Sequence, residues 1–157
     1  MADEKRDVTG LVLVGIQALL FLAVAVLALV PGPGWWMSLV VGLVLVVLGS
    51  AGVVWAGRDL GRALTPMPTP NGAGLAARGI YRGVRHPMYA SLIVICLGVA
   101  VGSGRMWSYV AVLVLALFFD LKTRYEERFL VGAYEGYAEY AARTGKFLPG
   151  VARRRLG

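Results

Sequence analysis

One cysteine, one histidine and nine acidic residues are all that this 157-residue chain offers to chemistry that needs thiols, imidazoles or carboxylates in number. A lone Cys96 excludes a disulfide framework and a cysteine-based metal site. Set in an apolar run, it reads as a small core residue. No metal site is read from the chain. No glycine-rich fingerprint lies between a strand and a helix, so a soluble Rossmann-type nucleotide site is absent too. Charge is equally scarce: 16% of residues are charged, against about 25% in an ordinary soluble domain. The net charge of +7 is not accompanied by any nucleic-acid-binding motif, and no nucleic-acid partner is expected.

What fills the sequence instead is hydrocarbon. Apolar residues make up 58% of it, with a mean hydropathy of +0.69. The charges gather at the N-terminus, between residues 58 and 85, and after residue 119. Between them lie runs that approach or exceed the roughly 20 apolar residues a membrane-crossing helix needs. The first runs from Val8 to Val30 and is broken by "PGPG"; without a small-residue cleavage site, it reads as a retained helix rather than a signal peptide. The second, from Trp35 to Ala56, opens on two tryptophans suited to a membrane interface. A third, Met88 to Gly102, and a fourth, Met106 to Phe119, flank "SGR" and are short for spanning helices. They read as a tight hairpin, with a single crossing plus a re-entrant segment as the alternative.

The expected fold is therefore an all-α polytopic membrane protein, a single domain of about four transmembrane helices with a helical cytoplasmic C-terminal segment. Residues 1–57 hold two spans, 58–87 a basic cytoplasmic segment, 88–121 the hairpin, and 122–157 a cytoplasmic tail. With both termini in the cytoplasm, 15 of the 16 lysines and arginines fall on the cytoplasmic face and only Arg105 on the other. There they suit an anionic inner leaflet. The alanine, valine, glycine and arginine bias points to a bacterial inner membrane. Gly42, Gly49, Gly98 and Gly102 would let helices pack closely, but they leave the oligomeric state open.

An even number of crossings between Arg85-His86 and the polar segment after Phe119 brings both to one side of the membrane, just under the headgroups. The arginine–histidine–proline step has an ordinary reading, a snorkelling arginine and a proline at the first turn of a helix. Yet a helix N-terminus also favours anions, with Arg85 adding positive charge and His86 a donor. Opposite them stand Glu126 and Glu127, suited to cationic or hydroxyl-bearing groups. Neighbours on a helix point about 100° apart, so the two acids cannot face one pocket in the same way. Surface pairing is their bland alternative: Asp120 with Arg124, Glu139 with Arg143, Lys122 with Glu126. Tyr134, Tyr137 and Tyr140, taken alone, read as an interfacial aromatic stripe.

Together, "GIYRGVRHPMYAS", "EERFL" and "YEGYAEYAARTGKFLP" resemble the isoprenylcysteine carboxyl methyltransferase and phospholipid methyltransferase superfamily, over roughly Thr65 to Pro149. The resemblance departs at Ser91, where that superfamily usually has glycine, a change that would narrow the pocket's inner edge. It implies a membrane-embedded methyltransferase that uses S-adenosylmethionine. By the same resemblance Arg85, His86, Pro87, Tyr89, Glu126 and Glu127 hold the cofactor: Arg85, His86 and the helix N-terminus meet its carboxylate, the acids its ribose and amino group, and Tyr89 lines the wall. Tyr137, Tyr140 and Arg143 would meet the acceptor. No general base is assigned, since methyl transfer needs alignment and exclusion of water more than a catalytic group. An isoprenylated cysteine, an aminophospholipid, a fatty acid, a quinone-type lipid and a hydrophobic thiol all fit as acceptors.

Two other readings stay open on the sequence. An NADPH-dependent sterol reductase shares a similar arginine–histidine motif, but with asparagine where Met88 stands. A non-catalytic scaffold or partner subunit could retain the same fold.

Overall fold

The computed structural model describes residues 2–64, 74–75 and 77–151, with the side chains of residues 2–7 left aside. The proline-rich stretch 65–72, the side chains of Lys5 and Arg6, and Arg153 to Arg155 thus lie outside the described residues. Among the described residues five α-helices follow one another: α1 (Ala2–Leu29), α2 (Leu39–Leu60), α3 (Pro87–Ser103), α4 (Met106–Ala133) and α5 (Tyr137–Arg143). Short 3-10 turns at Gly61–Ala63 and Gly79–Arg82 connect α2 to α3. Helices α1, α2 and α4 are long and apolar enough to cross a membrane, while α3 is apolar and shorter. The chain is an all-helical polytopic membrane protein.

The helices alternate in direction. Along α2 and α3 the contacts run in opposite order, Gly42 against Gly98 and Gly102, Gly49 against Ser91 and Ile95, Gly57 against Met88. Helix α1 meets α4 the same way, with Val24 near Ser108 and Phe21 against Phe119. At one end the "PGPG" and "SGR" loops are stitched together: Trp35 N–H donates to Gly104 O at 2.8 Å, and Met106 N–H to Pro33 O at 3.0 Å. Outer, for this end, and inner, for the opposite one, are labels for the two ends of the bundle. At the inner end Asp59 accepts from Ile80 N–H at 2.8 Å, tying the end of α2 to the turn before α3. Helix α3, with 17 residues, is only about 25 Å long, yet its C-terminus sits among the outer loops and its N-terminus at the inner end. It therefore runs the length of the bundle beside α2, as a hairpin partner of α4 does.

Helix α4 corrects the expectation of a short fourth run: it has 28 residues and continues unbroken past Phe119 through both glutamates. Hydropathy falls after Phe119, but "DLKTRYEERFLV" contains no proline or glycine and is rich in good helix formers. Polarity ends the apolar run without ending the helix.

The apolar core lies among α1, α3 and α4, around Val24, Cys96, Ala100, Val112, Leu115 and Phe119. Most other large apolar side chains face outward, Leu19, Leu22, Leu43, Val47 and Leu113 being about three-fifths exposed or more. In water such a surface would be an aggregation liability; in lipid it is the expected exterior. Trp35, Trp36 and Trp107 stand exposed near the outer loops, and Trp55 toward the inner end of α2, as interfacial aromatics do.

Lipid gives helices no hydrophobic reason to associate, so close backbone approach must hold them. The glycines provide it within one chain. A Cβ at Gly42 would lie 2.7 Å from Gly98 O, and one at Gly49 2.8 Å from Ser91 O. Ser91, where a narrowed pocket was expected, faces this seam instead: its hydroxyl donates to Pro87 O at 2.8 Å and lies against Gly52 of α2. Substituting Gly42→Ala or Gly49→Ala is therefore expected to cost about 1–3 kcal/mol through overpacking, read as a lower melting temperature in detergent. Gly15→Ala, with nothing within 4 Å of its Cβ, should leave the melting temperature unchanged or slightly raised.

Candidate functional site

The inward stripe of α4 runs Ser108, Ala111, Val112, Leu115, Phe119, Lys122, Thr123 and Glu127. That is helical i, i+3, i+4 periodicity carried from apolar residues straight into charged ones. At the inner end it meets the start of α3, where Pro87 occupies the first turn and His86 the N-cap, without a side-chain cap bond. The two sequence motifs come together here.

Glu127 is 1% exposed, and one of its oxygens, Oε1, accepts twice, from Arg85 Nε at 2.8 Å and from His86 Nε2 at 3.2 Å. A carboxylate only accepts, so Nε2 carries the proton in this contact. Glu126, its neighbour, approaches the other side of the imidazole, with Oε2 3.8 Å from Nδ1. Its Oε1 accepts from the Tyr89 hydroxyl at 2.6 Å. As their 100° separation requires, the acids thus hold different partners, yet they flank one ring. Tyr89 stacks on His86 and on Phe119, with centroids 5.9 and 4.6 Å apart.

Arg85 binds the tail as well as α4. Besides Glu127, its Nη1 donates to Ala141 O at 2.8 Å and to Thr144 O at 2.5 Å. The backbone of residues 83–86 pairs with the tail in parallel: Arg85 N–H donates to Gly145 O at 2.8 Å, His86 N–H to Lys146 O at 3.0 Å, and Gly145 N–H to Gly83 O at 3.0 Å. Glycine is required at 145, where a Cβ would fall 1.8 Å from Leu148 O. Removing one member of a buried ion pair costs about 3–5 kcal/mol, and this one fastens the tail to both helices.

The tyrosines are not an interfacial stripe. The chain breaks at Gly136, with φ of +82°, so Tyr134 closes α4 whereas Tyr137 and Tyr140 open α5. Both α5 rings are buried, packed with Leu130, Tyr134 and Leu75. Burial pushes the Tyr140 phenol up to about 12, so it stays protonated and donates to Tyr81 O at 2.6 Å. The Tyr137 hydroxyl, in contrast, is buried with no hydrogen-bond partner among the described residues. Arg143 is exposed at the end of α5.

Several participants were not expected. Lys122, assigned to surface pairing, has a side chain 1% exposed, with Nζ 2.7 Å from Gln17 Oε1 and 3.9 Å from Glu126. Lys146, from the tail, reaches Asp120, donating to its carbonyl at 2.9 Å and its carboxylate at 2.5 Å. Asp120 also pairs with Arg124 at 2.7 Å, the one expected surface pair that stays at the surface. The signal that would have placed Lys122 was the α4 stripe itself.

Such a cluster, one imidazole between two carboxylates with a tyrosine hydroxyl, suits a ligand carrying both signs of charge and hydroxyl groups. Known proteins point the same way. Residues 37–136 match the family model described as phospholipid methyltransferase. Over 121 residues, 73% of this chain and 63% of the relative, the sequence is 34% identical to a probable protein-S-isoprenylcysteine O-methyltransferase from Oryza sativa subsp. indica. It is 32% identical over 124 residues, 74% of this chain and 61% of the relative, to protein-S-isoprenylcysteine O-methyltransferase A of Arabidopsis thaliana. A third relative, the cobalt-zinc-cadmium resistance protein CzcN of Cupriavidus metallidurans, is 33% identical over 120 residues, 74% of this chain and 52% of that protein. The chain thus spans between about half and just under two thirds of the length of these relatives. With the motif order, the helix arrangement and a family match over most of the chain in agreement, this protein belongs to the phospholipid methyltransferase family of membrane proteins.

Proposed function

We propose that the chain is a membrane-embedded methyltransferase that takes its methyl group from S-adenosylmethionine and delivers it to a lipophilic or amphipathic acceptor at the cytoplasmic face. The observation that carries this reading is the His86 imidazole set between Glu126 and Glu127 at the N-terminus of α3. Bound there, S-adenosylmethionine would supply an electrophilic methyl group on a sulfonium. The residues fit such a ligand. Carboxylates suit its ammonium and ribose hydroxyls. His86 and the positive end of the α3 dipole suit its carboxylate.

Within this reading Glu126, His86 and Tyr89 face the cofactor, and Pro87 starts the helix whose dipole they share. Arg85 and Glu127 hold the wall behind them, because Arg85 is already bonded to Glu127 and two tail carbonyls. On the acceptor side Tyr137 and Arg143 are the stronger candidates, since the Tyr140 hydroxyl is taken by Tyr81. Polar groups at the inner end and bare apolar helices around them would let cofactor enter from water and acceptor from lipid. The basic residues support placing both termini in the cytoplasm, and composition supports a bacterial inner membrane. A carboxylate or thiolate acceptor would need no base; alignment and a dry site would supply most of the rate.

A scaffold reading draws on one observation: the Arg85–Glu127 pair fastens the tail whether or not any ligand binds. Calorimetry on the detergent-purified chain separates the two. The wild type should bind S-adenosylhomocysteine, and Glu126→Gln should weaken that binding about tenfold, the equivalent of about 1.4 kcal/mol, with little change in melting temperature. A wild type that binds neither this product nor S-adenosylmethionine would leave the scaffold. Incubating native membranes with methyl-labelled cofactor should place label in a lipid-extractable acceptor, and its identity names the substrate.

A further inference from the structure

Lys122 is a charge with no part in the reading above. A lysine near a membrane edge ordinarily stretches its ammonium out to the headgroups. This one turns inward, its side chain 1% exposed. Its Nζ lies 2.7 Å from Gln17 Oε1, 3.9 Å from Glu126 Oε1 and 5.1 Å from the centre of the Tyr89 ring. Gln17 is the chain's single glutamine, and it stands inside the apolar span Val8–Leu29. An amide there costs a few kcal/mol unless it is bonded, and polar groups within spans tend to mark function. Helix α1 also lies wholly outside the family match, which begins at residue 37.

We infer that Gln17 is a positioning residue for the cofactor site, acting through Lys122; the inference rests on the reading that S-adenosylmethionine binds there. Of the two adjacent acids, Glu127 is held by arginine, whereas Glu126 faces a histidine, a phenol and a lysine, with partners at both its oxygens. Oε2 faces His86 at 3.8 Å; Oε1 takes the Tyr89 hydroxyl and faces the Lys122 ammonium. Glu126 at 3.9 Å and the Tyr89 ring at 5.1 Å hold the Lys122 ammonium only loosely. The Gln17 carbonyl oxygen fixes the ammonium from the opposite side, from a different helix. Through that bond the first span sets where the Glu126 carboxylate points.

The competing view makes the bond a mere rivet between α1 and α4, which would alter stability but not affinity. Titration of the full detergent-purified chain with S-adenosylhomocysteine, with ligand-free melting on the same samples, separates them. Gln17→Leu should weaken binding roughly three- to tenfold, and Lys122→Met by a similar factor, while the double variant binds no worse than Lys122→Met alone. Gln17→Glu, which keeps an acceptor oxygen at the same reach, should stay within about twofold of wild type. Gln17→Asn retains an amide one methylene too short, so it should bind like Gln17→Leu and serves if the leucine variant does not fold. Wild-type affinity in Gln17→Leu or Gln17→Asn, whatever the melting temperature, overturns the inference, as does full additivity with Lys122→Met. A wild type that binds no S-adenosylhomocysteine overturns the reading of the site itself, and the inference with it.

Discussion

The inner end of this protein depends on one buried carboxylate. Glu127 receives Arg85 and His86 on a single oxygen, and those two residues are the last before α3 begins. A charge with almost no solvent exposure is tolerable only when partners replace its water. The partners here come from a separate part of the sequence, 42 and 41 residues away. Satisfying Glu127 therefore fixes how α3 starts relative to α4. The same arginine reaches the carbonyls of Ala141 and Thr144, so the tail is positioned by the same interaction. Three segments are set by one anion.

The adjacency of the two glutamates has a physical use. Glu127 faces inward and takes its two strong donors, Arg85 and His86, on Oε1, as suits a structural group. Glu126, about a third of a turn away, sits nearer the surface with its side chain 12% exposed, held by a phenol and by more distant cations. One residue of separation on a helix thus divides a rigid support from an adaptable contact, and both share His86 between them. The lipid around the bundle sharpens this division. In a low-dielectric setting ionic bonds are stronger and unpaired charges less tolerable, so polar groups concentrate where the helices end and partners are dense.

Much of this could be read from the order of residues. An even number of spans between Arg85-His86 and Glu126-Glu127 is enough to put them on one side, and their motifs are specific only in combination. Direction was less legible. Whether Arg85 points at a ligand or at the tail depends on the rotation of α4 and on the path of residues 144–146, neither of which hydropathy encodes. Lys122 looked like a surface partner because its i, i+4 spacing to Glu126 is equally consistent with an outward pair. Only its phase with Leu115 and Phe119 shows it faces in. The glycines at 42, 49 and 98 announced close packing without saying against what. The answer, α3 of the same chain, follows once the spans are antiparallel neighbours. The tyrosine repeat misled because periodicity takes no account of a left-handed turn at Gly136.

The family match covers α2, α3 and α4, yet those three helices do not by themselves close the site. Arg85 needs the carbonyls of residues 141 and 144, the backbone of residues 85 and 86 needs 145 and 146, and Lys122 needs Gln17 from α1. Each contribution from outside the match is a polar group meeting another that would be costly to leave alone in lipid. The added segments are thus constrained by the same requirement that shapes the core, that no charge be buried without a partner. The first helix and the tail thus supply acceptors that residues 37–136 lack, the Gln17 amide oxygen for Lys122 and the carbonyls of residues 141 and 144 for Arg85.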